Sequence, residues 1–144
     1  MNRFFFINLI LFFSLLSCNK DQKVTHRLEG LWNITSIEKR TFDSNHTSVN
    51  LMERQKMSIT LEFGPCHQND HQDCQSFYRV VDSSGYVQEM NYNYFVSESG
   101  KYLSFNHELE EFDHNYHIIY LKDDLLRLEE EKENEKLFME LVKM

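Results

Sequence analysis

Cys66 and Cys74 flank a polar heptapeptide, His67-Gln68-Asn69-Asp70-His71-Gln72-Asp73. Two chemistries compete for these residues. The thiols can oxidise to a disulfide, constraining the unfolded chain by about 2–3 kcal/mol for so small a loop. Alternatively, Cys66, His67, Asp70, His71, Asp73 and Cys74 can offer thiolate, imidazole and carboxylate ligands to zinc or copper. No C-x2-C zinc spacing is present, and two histidines in a polar loop are ordinarily solvated. His107, His114 and His117 form a second, looser set. His117 lies in an apolar run and reads as a hydrogen-bonded wall residue.

Nothing else in the chain points to catalysis. It has no G-x-S-x-G elbow, no H-E-x-x-H and no glycine-rich phosphate loop. Acidic runs at Glu110-Glu111, Asp123-Asp124 and Glu129–Glu131 abut turns, where such groups are usually solvated. The expectation is a non-enzyme with no catalytic residues, no cofactor and no bound metal.

The choice between bridge and metal depends on compartment, and the N-terminus bears on that. A single cation, Arg3, precedes an apolar run from Phe4 to Leu16 broken only by Asn8 and Ser14. As a helix this run would span roughly 20 Å, short of the ~30 Å hydrocarbon core, so it fits a signal-peptide h-region. It ends in Leu15-Leu16-Ser17-Cys18, which resembles the lipobox of bacterial lipoproteins. That resemblance implies cleavage after residue 17, a diacylglyceryl thioether on Cys18 and acylation of its freed amine. More than one acyl chain anchors stably where one alone is marginal. The resemblance also implies a cell-envelope location. Because Asn19 is not the aspartate of inner-membrane retention, the outer membrane is expected, on a side the sequence leaves open. In such an oxidising compartment the Cys66–Cys74 bridge is the expected outcome.

Residues 18–27 then read as a short polar tether and residues 28–144 as one domain. The formal net charge is −8, becoming −9 once Arg3 leaves with the leader. That balance argues against nucleic acid as a partner and would suit a cationic one. Aromatic residues make up 14% of the chain, a bias toward strands.

Period-two alternation dominates from Leu28 onward. Met57, Ile59, Leu61 and Phe63 share one face, as do Met90, Tyr92, Tyr94 and Val96. Tyr116, Ile118 and Tyr120 alternate with His117, Ile119 and Leu121, which suggests a strand covered on both sides. Turn signals at Asp43-Ser44-Asn45, Gly64-Pro65, Asp82–Gly85, Ser97–Gly100 and Asp123-Asp124 separate the runs. The predicted strands are 30–42, 56–65, 74–82, 86–97, 101–107, 111–122, 124–130 and 136–143. Eight sequential strands close an up-and-down antiparallel barrel, an all-β fold without exposed edges. Leu125–Met144 has helical propensity, but no apolar residue lies between Leu128 and Leu137, so a hairpin turning near 131–134 is predicted. Residues 43–55 would form a long loop or a short helix across an open end.

Leu28-Glu29-Gly30-Leu31-Trp32 resembles the Gly-x-Trp signature of lipocalins, and more closely the opening of lipocalin-like domains in small lipoproteins of Bacteroidota. The resemblance implies that the glycine admits the chain to the barrel and the tryptophan plugs its closed end. Leu128–Lys143 looks like that group's final hairpin. A later-strand arginine against the tryptophan is also implied, with Arg127 as the candidate.

Two functions follow. An eight-stranded barrel can hold one small apolar ligand, with Phe63, Phe77, Phe105, Tyr92, Tyr94, Tyr116 and Tyr120 as candidate lining residues, unless these rings fill the interior. The alternative is a protein-interaction or inhibitor module, presenting residues 43–55 and the Cys66–Cys74 loop to a basic partner.

Overall fold

In the computed structural model, which describes residues 20–42, 48–66, 74–109, 111 and 113–144, the alternating segments become strands. Helix α1 (residues 20–28) precedes β1 (Gly30–Thr41), β2 (Ser48–Asn50) and α2 (Leu51–Gln55). Then come β3 (Ser58–Phe63), β4 (Gln75–Val81), β5 (Val87–Ser97), β6 (Tyr102–Asn106), β7 (His114–Lys122), β8 (Leu125–Lys132) and β9 (Glu135–Lys143). Strands β3 to β9 pair antiparallel in sequence order. β1 pairs with β3 over Gly30–Ile34 and with β9 over Trp32–Thr41, so eight strands close a barrel. The predicted strands agree with these to within three residues at each end.

The short β2 lies along Glu38–Arg40 of β1, beyond the reach of β3. Leu51 and Met52 of α2 pack against the core there. The Asn50 side chain caps α2, accepting from the Met52 N–H at 3.0 Å. Residues 43–47 lie outside the described residues, and 48–55 are this strand and helix. The C-terminal segment is a hairpin, with Lys132 opposite Glu135.

The stretch read as a polar tether is helical from residue 20. Asp21, Val24, Thr25 and Leu28 recur at helical spacing on one face. Leu28 and Thr25 are fully buried, and Val24 packs against the core. Helix α1 is thus the plug of one barrel end, tied down from several strands. Gly100 donates its N–H to the Asp21 carboxylate, and Arg27 Nη2 donates to Leu121 O at 2.9 Å. Gly100 has φ +81°, and a Cβ there would lie 2.6 Å from Val24 Cγ2, so the turn tolerates only glycine under the helix.

Trp32 sits directly above this plug and is fully buried. Its indole N–H donates to Leu28 O at 2.6 Å. Gly30 has φ +114°, and a Cβ there would press on Lys143 Cε at 3.2 Å. The cation over the indole is Lys143, with Nζ 5.3 Å from the ring centroid, and not Arg127. Arg127 faces outward, over Tyr120 and paired with Glu140 at 2.8 Å. The reason is position: Lys143 ends the strand hydrogen-bonded to Trp32, whereas Arg127 is out of phase with buried Leu126 and Leu128.

The Cys66–Cys74 disulfide forms, with Cα atoms 4.9 Å apart. Cys66 O accepts from Gln22 Nε2 of α1, so the bridge belongs to the plugged end. With both sulfurs joined, no thiolate remains for the metal reading. His67, Asp70, His71 and Asp73 lie outside the described residues, as does Cys18.

Candidate functional site

Inward-pointing side chains fill the two halves of the barrel differently. Near the plug, Trp32, Phe63, Tyr94, Val96, Leu103, Leu126, Leu128 and Leu141 are all buried. Phe63 and Tyr94 meet edge to face at 5.0 Å, and the Tyr94 hydroxyl donates to Gly64 O at 2.8 Å. Toward the other end the inward side chains leave space between them. They leave a cavity of about 160 Å3 lined by Leu61, Tyr78, Met90, Tyr92, Phe105, His114, Tyr116 and Met139. This end is the mouth, bounded by the turns that follow β1, β4, β6 and β8.

Of the predicted lining residues, Tyr92, Tyr116 and Phe105 line the cavity. Phe63 and Tyr94 belong to the filled half. Tyr120 does not reach the interior. A bulge between Ile118 and Tyr120 adds a residue to β7, so Leu121 packs against the core while Tyr120 is 40% exposed. The same strand is not covered on both sides: Ile119 and His117 are exposed, and His117 stands beside the Tyr102 ring at 5.3 Å, not in a buried wall. Phe77 faces outward too, because Ser76, buried beside it in β4, occupies the opposite phase.

The polar feature of the cup is an imidazole–carboxylate pair. His114 Nδ1 lies 3.0 Å from Glu130 Oε1, and Lys132 Nζ lies 3.4 Å from Glu130 Oε2. Glu130 thereby departs from the solvated acidic run expected at 129–131. Glu129 and Glu131 pair with Lys136, but Glu130 continues the inward phase of Leu126 and Leu128 and is buried. Burial opposes its ionisation, yet the hydrogen bond and charge of His114, with Lys132, outweigh that and hold the carboxyl below its ordinary value. The carboxylate accepts the Nδ1–H of His114, and in the neutral form of the ring the lone pair then lies on Nε2.

Three tyrosines share the cup. Burial, then the Glu130 charge, holds the Tyr116 hydroxyl above the ordinary tyrosine range. Burial pushes Tyr78 up to about 12 and raises Tyr92 as well. The phenols therefore stay protonated and able to donate. Tyr92 donates to Met90 Sδ at 3.6 Å. The hydroxyls of Tyr116 and Tyr78 have no hydrogen-bond partner among the described residues. Tyr116 is only 5% exposed, so its hydroxyl is a buried polar group turned to the cavity wall and left unsatisfied.

Sequence reasoning missed Leu61, Tyr78, Met90, His114 and Met139 as lining residues. Their phase was legible: Met90 alternates with Tyr92, and His114 with Tyr116.

Comparison with known proteins gives likenesses of shape at low identity. No family model and no curated protein matches the chain. It is similar to the crystal structure of a lipocalin-like protein from Bacteroides uniformis, 17% identical, over 82% of this chain and 99% of that one, with a TM-score of 0.49. It is similar to an uncharacterised protein from Bacteroides eggerthii, 14% identical, over 78% and 98%, with a TM-score of 0.48. A designed fluorescence-activating β-barrel also matches, 10% identical, over 83% and 96%, with a TM-score of 0.48.

The described parts of the two segments expected to contact a basic partner lie at opposite ends. Residues 48–55 follow the mouth end of β1, and the Cys66–Cys74 bridge abuts α1 at the plug.

Proposed function

We propose that this protein is an envelope lipoprotein whose lipocalin-like barrel binds one small, mostly apolar molecule in the open half. The observation that carries this reading is the apolar cavity beside a filled half of the same barrel. A barrel packed only for stability would fill both halves, because an unfilled apolar volume costs stability in proportion to its size. A cavity of this volume accommodates a molecule of about one ring.

The reading of Cys18 as lipid anchor gives the cup an orientation. Only Asn19 separates Cys18 from α1, a reach of at most about 7 Å. The plugged end would then sit at the bilayer and the mouth would face away from it. The ligand would arrive from the aqueous side. An outer-membrane location accords with Asn19 after the lipidated cysteine.

The test has two parts. Toluene titrated into the purified chain should produce saturable shifts of the Met90 and Met139 methyl resonances; the absence of any shift overturns the cup reading. Labelling with a fatty acid in cells should mark the wild type and not Cys18→Ala. Equal labelling of the two would overturn the anchor.

A second reading draws on the acidic turns at the mouth, which carry Glu108, Glu111 and Glu133 beside exposed Phe42, Tyr86 and Leu109. These could meet a cationic protein. In that case association weakens with added salt, and Glu→Gln at the three positions slows it. Salt-independent association would exclude this reading.

A further inference from the structure

The polar groups of the cup are specific enough to name a ligand class, which rests on the reading of the cavity as a binding site. An anion is disfavoured because Glu130, buried and ionised, stands directly behind His114. A cation is disfavoured because both Glu130 oxygens are already engaged, by His114 and by Lys132. What remains is a neutral group. With Nδ1 donating to Glu130, the neutral form of His114 presents a lone pair on Nε2 that accepts from a proton donor. The Tyr116 hydroxyl is buried and unpaired among the described residues, so it has a proton to donate. The two rings stack with centroids 5.7 Å apart, which brings the acceptor and the donor to one side of the cavity.

A hydroxyl group answers both demands, donating to one partner and accepting from the other. A ketone or ether can only accept, and an amine would carry charge. The rest of the lining consists of flat rings and thioethers: Tyr78, Tyr92, Phe105, Met90 and Met139. Ring edges and sulfur favour an aromatic guest over an aliphatic one. We propose that the ligand is a single-ring phenol, its hydroxyl donating to Nε2 of His114 and accepting from Tyr116 while its ring fills the apolar cup.

The test compares 4-methylphenol with toluene, which differ only by the hydroxyl. Both are titrated into the purified full chain while the methyl resonances of Met90 and Met139, which line the cavity, are followed. The phenol should saturate at a concentration about tenfold or more below that of toluene, since its hydroxyl adds two hydrogen bonds in a buried site. Tyr116→Phe keeps the ring and its packing, and His114→Phe removes the acceptor; each should bring the phenol close to toluene. If His114→Phe fails to fold, Tyr116→Phe alone still decides. Equal affinity of the two probes for the wild type, or a preference unchanged in Tyr116→Phe, overturns the phenol proposal and leaves the cup reading standing. If neither probe moves either methyl, the cup reading itself fails and this proposal with it.

Discussion

The two halves of one barrel, built from the same strands, have different interiors. In the plugged half, Trp32, Phe63 and Tyr94 are buried in one cluster with Val96, Leu103, Leu126, Leu128 and Leu141, with α1 sealing the end. In the mouth half, the same strands present Tyr78, Met90, Tyr92, His114 and Tyr116 around a cavity of about 160 Å3. The filled half supplies burial, and hence the folding free energy that lets the other half remain hollow and hold an imidazole–carboxylate pair. A barrel closed by hydrogen bonds all round does not need both ends packed. The difference between the halves separates the part packed for stability from the hollow part proposed to bind a ligand.

That division fails if substitutions in the two halves act alike. The largest effect is expected at Trp32→Ala, which removes the fully buried ring above the α1 plug and should cost about 3–5 kcal/mol in urea unfolding. Replacing Cys66 and Cys74 together by serine should cost about 2–3 kcal/mol, the value of the small closed loop that abuts α1. Enlarging the same kind of side chain in each half is the sharpest comparison. Leu103→Phe in the filled half should cost about 1–3 kcal/mol through overpacking, whereas Met90→Phe in the cup should be within about 0.5 kcal/mol of the wild type. Equal costs would show that the cup is not empty.

The smallest effect concerns pH. The Glu130 carboxyl lies below its ordinary value of 4.5 in the folded chain, so the folded state binds fewer protons there than the unfolded. Its contribution to stability is complete above about pH 4.5 and is lost as the pH falls through the folded value. Glu130→Gln should flatten that acid limb in melting experiments between pH 5 and 3. At the alkaline side, burial favours the neutral phenol of Tyr78, so its contribution is present below pH 10 and lost as the pH rises through about 12. Absorbance titration of Tyr78→Phe against the wild type should remove a late-ionising tyrosine.

Most of the fold was legible because strands report themselves locally. Ile59, Leu61 and Phe63, and likewise Tyr92, Tyr94 and Val96, are buried in the phase their spacing dictates. The site was legible in part. Tyr92 and Tyr116 were in phase, but Tyr120 was lost to a bulge, since one extra residue in β7 reverses every later side chain. Glu130 looked like part of a solvated run when composition was weighed above phase. Helix α1 was obscured by its polar residues, although Val24 and Leu28 stand four apart on one face.

The sequence alone determined the alternation and the turns between runs, because these depend on neighbours a few residues apart. Only the tertiary structure decided that Cys66 lies under α1, that Lys143 and not Arg127 covers the tryptophan, and that His114 meets Glu130. These are contacts between strands, fixed by register around a closed barrel. The cavity belongs to the same class: it is the volume left when side chains from opposite walls fail to meet, and no single strand carries that distance.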